Sequence, residues 1–474
     1  EEPVTIVDDD GAPKAEKHVI LYNPPVVNRE LGIRRSALLQ SRDLAARFLQ
    51  AGAQTIVFAR SRVGVELLVT YLKSHLRVKA DETDGAVRGY RGGYLPLERR
   101  DIEAGLRDGT VRTVVSTNAL ELGIDVGQLE ACIMVGYPGT ISSTWQQAGR
   151  AGRRSGTSVA ILVATSSPLD QFIAAHPEYL FGNPPESALA NPNNPLILGQ
   201  HVKCGAFELP FDDGELLGSR DVAEELGQLE REQLLHHTGQ RWHWSAESFP
   251  ASEVSLRSAA TENVVIVDTT QGSRVIGEMD RASAFMLLHD QAIYLHDGVQ
   301  YHVDHFDFEA LKAYVRRVSV DYYTDADLDV DMRVIDRFES EELAAMTRCF
   351  GEVAVTYRPS IYKKIKLYTH ENLGWGKIHL PQTDMHTTAY WLELHAPMPD
   401  EILGDRAAQA LHGARNLLAN VAPLFVMCDP RDVHAVAEVR SPTLRVPALY
   451  LYDVVPGGIG LANKLYDQHE AVLG

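Results

Sequence analysis

Short apolar runs that alternate with amphipathic stretches dominate the first 183 residues. TIVF, TVVS and CIMV are typical of buried strands, and the segments between them repeat apolar residues at helical spacing. This alternation predicts an α/β lobe whose parallel sheet is covered on both faces and closes with VAILVAT at 159–165. Functional side chains should therefore lie at the carboxyl ends of the strands.

The pattern changes after a cluster rich in Pro and Asn at 181–195. Apolar residues at helical spacing in 219–237, followed by TGQRWHW, predict a winged helix, and 256–335 alternates as β-strands do. We predict a multidomain chain: linker 1–17, α/β lobe 18–183, winged-helix-like domain 184–255, β-rich module 256–335, α+β C-terminal domain 336–474.

The segment QQAGRAGRR, 146–154, carries the most specific chemistry. It should open a helix after a strand, with small residues that let the backbone approach closely and with Arg150 and Arg153 projecting together. A guanidinium stays charged and offers a planar set of donors, which suits the charge on transferring phosphate oxygens. The alternative is a basic helix terminus paired with surface carboxylates.

Three further stretches precede that motif: QTIVFARSR at 54–62, YRGGYLPLERRDIEAGLRDG at 90–109 and TVVSTNALELGID at 113–125. Ser61 and Arg62 leave the end of a strand, where a hydroxyl and a guanidinium can reach a phosphate. In this order and spacing, the four stretches resemble the second RecA-like domain of superfamily 2 helicases.

That resemblance implies roles for individual residues. Arg150 and Arg153 would act as arginine fingers on the phosphates of ATP. Gln146, Gly123 and Asp125 would lie near the nucleotide. The predicted nucleic-acid contacts of this lobe are Ser61, Arg62, Gly92 and Thr117. ATP and Mg would be held mainly by the first RecA-like lobe of the motor.

The signatures of that first lobe are absent from the sequence. A phosphate-binding loop needs G-x-x-x-x-G-K-[ST], but the pair Gly376–Lys377 lacks the upstream glycine and is followed by isoleucine. The acidic DETD at 81–84 is interpreted as a loop. We expect no ATP hydrolysis by this chain alone, and we expect the polar 1–17 to be a linker whose upstream lobe acts in cis or in trans.

Two accessory segments could also contact nucleic acid. In the predicted wing, Arg241 and Trp242 combine charge with a stacking surface, although Trp242 or Trp244 could instead fill the domain core. In 357–370, strand alternation should place four side chains on one basic face, namely Tyr362, Lys364, Lys366 and Tyr368. A solvated face with tyrosines at its rim is the alternative.

Near the C-terminus, YDVVPGGIGL at 452–461 and the earlier IGEMD resemble the mitomycin-repair helicase family. The resemblance implies a 3′-to-5′ DNA helicase that works in DNA repair on DNA with a single-stranded region. The family has a four-cysteine zinc cluster just beyond this segment, and the sequence ends at Gly474 without one. Zinc is therefore possible in a full-length protein and is not expected here, and no metal ligand is assigned.

Composition limits how the chain can bind nucleic acid and where in the cell it is expected. A net charge of −19 over 474 residues opposes general adhesion to nucleic acid, so binding must use local basic surfaces. Four cysteines without C-x-x-C spacing predict reduced thiols and a cytoplasmic protein, and no apolar run is long enough to predict a membrane span. A non-catalytic module for single-stranded nucleic acid and one subunit of a split helicase stay open as alternatives, and RNA is not excluded as the substrate.

Overall fold

The computed structural model describes residues 16–77, 85–122, 129–152, 156–187, 189, 191–192, 194–218, 220–254, 263–395 and 405–473. The chain divides into two compact units. The first comprises Glu1–Glu186, Val264–Asp327 and Ile361–His379, and the second comprises Ser187–Asn263, Leu328–Ser360 and Leu380–Gly474. The predicted linker therefore lies largely outside the described residues, as does the DETD segment at 81–84.

The predicted α/β lobe, called the parallel-sheet lobe below, is a six-stranded sheet with helices around it. Its elements are β1 (Glu16–Tyr22), β2 (Val26–Asn28), β3 (Ile33–Arg34), α1 (Ala37–Gln50), β4 (Thr55–Ala59), α2 (Arg62–Arg77), β5 (Val87–Tyr90), α3 (Pro96–Asp108), β6 (Thr113–Ser116), β7 (Ala131–Val135), α4 (Ile141–Ala148), β8 (Thr157–Val163), α5 (Pro168–Ala175) and α6 (Pro177–Gly182). The strand order is β1-β8-β7-β4-β6-β5, and all five pairings are parallel.

Local sequence explains where these elements begin and end. The Ser36 hydroxyl accepts a hydrogen bond from the Leu39 amide and caps α1, and α3 ends at Gly109 with φ 81°. Each residue of β4 and β7 is buried, as expected for central strands covered on both faces. The predicted parallel α/β lobe is confirmed.

The winged helix follows in the second unit. It contains α7 (Pro195–Glu208), β9 (Phe211–Asp212), β10 (Leu216–Leu217), β11 (Arg220–Asp221), α8 (Ala223–Arg231), β12 (Leu235–Thr238) and β13 (Arg241–Trp244). Strands β12, β13 and β9 form an antiparallel sheet. Val202, Phe211 and Leu226 lie in its apolar core, and the predicted winged helix is confirmed.

The β-rich module belongs to the first unit. Its elements are β14 (Asn263–Asp268), β15 (Arg274–Asp280), α9 (Arg281–Leu287), β16 (Ile293–His296), β17 (Val299–Asp307) and β18 (Lys312–Val318). The strand order is β15-β14-β18-β17-β16. Asp297 and Gly298 join β16 to β17 with φ values of 46° and 77°, so they form the tight turn of a β-hairpin.

The remaining elements are β19 (Tyr322–Glu342), β20 (Met346–Lys366), β21 (Asn372–Lys377), β22 (Thr383–Leu394), α10 (Asp405–Val426), β23 (Val433–Glu438), β24 (Ala448–Asp453), α11 (Leu461–Asp467) and α12 (His469–Leu473). In the second unit, β22 lies between β20 and β24, and β23 pairs with β24. In the first unit, β21 pairs with the end of β20.

The predicted domain boundary between residues 335 and 336 falls inside β19. Within the described part of the chain, no helix combines the length and apolarity needed to cross a bilayer.

Candidate functional site

Two of the sequence motifs meet at Glu121, in the lobe of the parallel sheet. The Arg150 guanidinium is buried and donates from Nε to the backbone carbonyl of Glu121 at 2.8 Å. The Gln147 amide donates to the Glu121 carboxylate at 2.9 Å. A parallel bridge joins Leu129 to Ala151. Glu121 of TVVSTNALELGID therefore lies directly against Gln147 and Arg150 of QQAGRAGRR.

The structure describes only part of the predicted nucleotide site. Gly123, Asp125 and Arg153 lie outside the described residues, and their roles stay predictions. The prediction that QQAGRAGRR opens a helix was wrong, because the motif begins in the last turn of α4, which ends at Ala148. Gln146 lies in that turn, where its amide donates to the Ser142 hydroxyl at 3.2 Å. Arg150 is held by backbone in this conformation, so it must exchange that contact if it is to reach a phosphate.

Ser61 and Thr117 lie at one edge of the sheet. They follow β4 and β6, which are paired in parallel, so both leave at strand carboxyl ends. The Ser61 hydroxyl accepts from the Gly64 amide at 3.0 Å and caps α2, and Thr117 accepts from the Ala119 amide at 3.4 Å. Ser61 is exposed and Thr117 is partly exposed. The structure brings these two predicted contacts to the same edge.

Arg62 forms an ion pair that the sequence did not indicate. One of its terminal nitrogens, Nη2, lies 2.9 Å from Oδ2 of Asp280, in the β-rich module. The other oxygen of Asp280 accepts from the Ser283 amide and caps α9. Burial alone would raise the pKa of Asp280, but the Ser283 hydrogen bond and Arg62 lower it below its usual value. Gly92 lies beside the same guanidinium.

A buried polar cluster lies next to that pair, between the parallel-sheet lobe and the β-rich module. Arg91 Nε is 2.7 Å from Glu66 Oε1, and the side chains of both are about 1–2% exposed. Tyr94 donates to the same carboxylate at 2.8 Å, and Arg91 reaches the Tyr294 hydroxyl at 3.1 Å. Burial would raise the pKa of Glu66, but Arg91, His296 and the Tyr94 hydrogen bond keep it below its usual value.

The turn of the β-rich module enters the same region. The Asp297 carboxylate lies 3.3 Å from the Lys73 ammonium and 3.1 Å from the Arg88 guanidinium. It also accepts from the Gly89 amide at 3.3 Å, while the Gly298 amide donates to Glu66 at 3.1 Å. The turn thus places one carboxylate between two cations of the parallel-sheet lobe.

Sequence reasoning missed this docking surface, which consists of Glu66, Arg91, Tyr94, Asp280 and Asp297. One local signal was available. A Cβ at Gly277, in the IGEMD segment, would lie 2.4 Å from the Gly93 carbonyl oxygen, so glycine permits that close approach. A strand glycine is compatible with many neighbours, however, and does not by itself identify YRGG as the partner.

In the winged helix, the two predicted contacts are partly engaged within the domain. Arg241 pairs with Asp212 at 2.6 Å, and both side chains are 60% exposed. Trp242 donates to Asp213 at 2.8 Å and stacks on His237 with a ring distance of 4.2 Å. Trp242 and Trp244 both pack against the apolar core. One side of each indole therefore packs in the domain core, as the alternative interpretation predicts.

The predicted basic face of 357–370 needs a correction. Tyr362 is 7% exposed and stacks on His289 at 4.8 Å, so that position faces inward. Tyr368 lies beyond the end of β20 with φ 66° and stacks on Tyr71 at 4.3 Å. The two lysines remain partly exposed: Lys364 lies over the Tyr322 ring, and Lys366 lies 3.6 Å from Glu371.

A zinc site does not fit the described residues. Within 414–474 the only cysteine is Cys428, whose thiol is buried, with a pKa raised by that burial to about 12. A four-cysteine zinc cluster requires four thiolates around the metal, and other zinc sites require at least three His, Cys, Asp or Glu side chains close together. Across the ranges that the structure describes, no group of three or more His, Cys, Asp or Glu could hold a metal.

Comparisons with known families agree with this organisation. The family model of the helicase conserved C-terminal domain matches residues 35–155. The winged helix domain of ATP-dependent helicase HRQ1 matches 190–259, and the MrfA Zn-binding domain matches 414–474. These segments coincide with the motif-bearing lobe, the winged helix and the region around α10 to α12.

Individual relatives align along nearly the whole chain. It is 52% identical to the ATP-dependent helicase YprA of Bacillus subtilis over 98% of its own length and 62% of the relative's. It is 30% identical to the ATP-dependent helicase HRQ1 of Saccharomyces cerevisiae, over 99% of the chain and 45% of the relative. The crystal structure of the DUF1998 helicase MrfA bound to DNA matches with 50% identity and a TM-score of 0.81, over 99% of this chain and 63% of that one. Along nearly its whole length the chain is thus similar to MrfA/YprA-like helicases of superfamily 2, and it spans somewhat less than two thirds of the length of these relatives.

Proposed function

We propose that this chain is the second motor lobe and accessory region of an ATP-dependent DNA helicase that moves 3′ to 5′ in DNA repair. The observation that carries the proposal is the contact of Arg150 and Gln147 with Glu121, because it joins the two ATPase signatures in one place. The relatives named above support the helicase class. The polarity and the repair role rest on family resemblance, and a cytoplasmic location rests on the four free cysteines.

ATP, held mainly by a first RecA-like lobe with Mg, supplies the phosphoryl transfer that drives movement. This chain contributes Arg150 and Arg153, whose guanidiniums stabilise charge on the transferring phosphate when the lobes close. Arg150 gives up its bond to the Glu121 carbonyl in that step. Gln146, Gly123 and Asp125 complete this side of the nucleotide site.

The nucleic-acid contacts follow from the sheet edge. The hydroxyls of Ser61 and Thr117 leave parallel strands at the same edge, and Gly92 with Arg62 lies beside them. We propose that they hold the sugar-phosphate backbone of one DNA strand. Arg241 and Trp242 in the wing, with Lys364 and Lys366 beyond the β-rich module, extend the contacts to DNA that has a single-stranded region.

Strand displacement tests this proposal. The chain would be fused to the part of the Bacillus subtilis relative that it does not match, and the fusion would be assayed on DNA duplexes with a 3′ tail, a 5′ tail or blunt ends. The proposal predicts ATP-dependent displacement of the 3′-tailed duplex. Displacement of the 5′-tailed duplex alone would reverse the polarity, and displacement of none by a fusion that binds DNA would remove the helicase assignment.

A second candidate follows from the missing phosphate-binding loop. A chain that lacks this loop could serve as a binding module for single-stranded nucleic acid, or as one subunit of a split motor. A binding module would hold single strands equally well with and without nucleotide. A split motor would gain ATPase activity on addition of the first lobe as a separate polypeptide, without fusion.

A further inference from the structure

We infer that the hairpin of β20 and β21, residues 361–377, is a base-stacking site for single-stranded DNA, with Trp375 as its stacking platform. The inference rests on the proposed function, because it names a contact of the same nucleic acid. The residues that form the site lie on one side of the hairpin: Lys363, Leu373, Trp375 and Lys377. None of the sequence motifs points to Trp375.

Trp375 is the most exposed of the five tryptophans. Its side chain is 63% exposed, whereas Trp391 is fully buried and Trp145 is 37% exposed. Leu373, two residues earlier, is 48% exposed. An indole left in water forgoes the free energy of burying its apolar surface, so an exposed tryptophan with an exposed apolar neighbour indicates a partner surface.

The fold holds this indole outward. Opposed residues in an antiparallel pair share a face, and Tyr362 lies opposite Gly376 while Lys363 lies opposite Trp375. The Tyr362 ring covers Gly376, where a Cβ would lie 2.5 Å from ring carbon Cζ. The inner face is therefore filled, and alternation leaves Trp375 only the outer one. A platform fixed in this way loses little conformational freedom when a base stacks on it.

The charge of the hairpin indicates which kind of partner it binds. The hairpin, residues 361–377, contains four lysines and one glutamate, in a chain whose net charge is −19. Lys363, on the face of Trp375, pairs with Asp327 at 2.6 Å, while the exposed Lys377 has no ion-pair partner among the residues that the structure describes. Local positive charge beside an aromatic ring fits phosphates flanking a stacked base. An acidic protein surface would contact only the positive charge, and a purely apolar protein surface would contact only the aromatic ring.

Single-stranded DNA is therefore the occupant to which the hairpin is assigned. In duplex DNA the base faces are already stacked on each other, so an exposed indole gains a base only from an unpaired strand. Stacking on an aromatic side chain is tolerant of sequence, because every base has a π-face. The site should thus bind strands of mixed sequence.

The test compares binding to two labelled strands of equal length by fluorescence anisotropy. One is oligo(dT), and the other carries abasic sites throughout, so that it keeps the phosphates and lacks the bases. Trp375→Ala is expected to weaken binding of oligo(dT) about 5- to 100-fold and to leave the abasic strand unchanged. Trp375→Phe, which keeps a ring, should retain most of the affinity. Lys377→Gln should weaken the binding of both strands by the same factor. It should also reduce the salt dependence of that binding by about one phosphate contact.

The matched control is Leu31→Ala, which removes another exposed apolar side chain, 72% exposed, from the same unit. It should bind both strands as the unmodified chain does. The stacking site is wrong if the unmodified chain binds oligo(dT) and Trp375→Ala binds it equally well. It is also wrong if Trp375→Ala loses the same affinity for both strands. In either case the helicase proposal stands. If the unmodified chain binds neither strand, the inference and the nucleic-acid part of the proposed function both fail.

Discussion

The Nε of Arg91 lies 2.7 Å from Oε1 of Glu66, and the two side chains are almost completely excluded from solvent. Arg91 belongs to the YRGG motif of the motor lobe, and its Nη2 also contacts the Tyr294 hydroxyl of the β-rich module. The pair thus connects a helicase motif with an accessory module in one hydrogen-bonded cluster. Movement of the motif should be transmitted to the module through this contact.

Glu66→Gln should destabilise the first unit by about 3–5 kcal/mol, because it leaves the buried Arg91 charge without its counter-ion. The amide keeps the size of the carboxylate, so the loss reports charge rather than volume. Denaturant unfolding, followed at pH 7, measures the effect. Asp212→Asn is the matched control, since its partner Arg241 and Asp212 are both 60% exposed, and it should change stability little. Equal midpoints for both variants would refute a stabilising role of the buried pair.

The same cluster predicts how stability depends on acid. The pKa of Glu66 lies below its ordinary value of 4.5 because Arg91 and its hydrogen bonds outweigh burial. The folded state therefore binds the proton less readily than the unfolded state. Its contribution is complete above about pH 4.5 and is lost as the pH falls below that value. The stability difference between the unmodified chain and Glu66→Gln should therefore shrink on acidification. A difference that stays constant from pH 7 to pH 3 would contradict this.

The contribution of Asp432 to stability should change with pH in the direction opposite to that of Glu66. Burial and the neighbouring Asp429 raise the pKa of Asp432 from 3.8 to about 6. The folded state binds this proton more tightly, so stability falls as the pH rises from about 4 to about 6. Asp432→Asn removes the titration, and its stability relative to the unmodified chain should improve over that range. Unfolding midpoints at pH 4 and pH 7 measure the change. A relative stability that does not depend on pH would refute the shift.

Asp280→Asn should increase affinity for single-stranded DNA. It removes the charge that pairs with Arg62 at 2.9 Å, and asparagine still caps α9 through its side-chain oxygen. The freed guanidinium gains one phosphate, so the salt dependence of binding should steepen by about one contact. Arg62→Ala should weaken binding, and it should abolish the gain when combined with Asp280→Asn. An Asp280→Asn effect that persists without Arg62 would show that the carboxylate acts by another route.

Gly376→Ala should destabilise the hairpin by about 1–3 kcal/mol, because its methyl group would meet the Tyr362 ring at 2.5 Å. The matched control is Gly413→Ala on α10. No atom lies within 4 Å of the added methyl group there, and alanine favours a helix, so stability should rise by up to about 1 kcal/mol. Unfolding midpoints distinguish the two. A tolerated Gly376→Ala would mean that the tyrosine moves aside and that Trp375 is not held outward by this contact.

The fold was largely predictable from local patterns, and the contacts of the site were not. Apolar runs such as Thr55–Ala59 must be buried wherever they occur, so the parallel lobe follows from sequence. Asp280, in contrast, is 218 positions from Arg62, and no period or motif links the two. Tyr362 was assigned to an exposed face because alternation fixes which residues share a face, not which face is covered. Arg150 contacts a backbone carbonyl, an acceptor that every residue offers.

ATP hydrolysis tests the central claim, that this chain is half of a helicase motor. The rate would be measured with and without single-stranded DNA, for the chain alone and for its fusion to the unmatched part of the Bacillus subtilis relative. We expect DNA-stimulated hydrolysis only by the fusion, reduced about 10³-fold or more by Arg150→Ala or Arg153→Ala. Arg29→Ala, at an exposed arginine away from the motifs, should keep the full rate. A fusion that binds DNA without hydrolysis, or one that keeps its rate without these two arginines, would contradict the account.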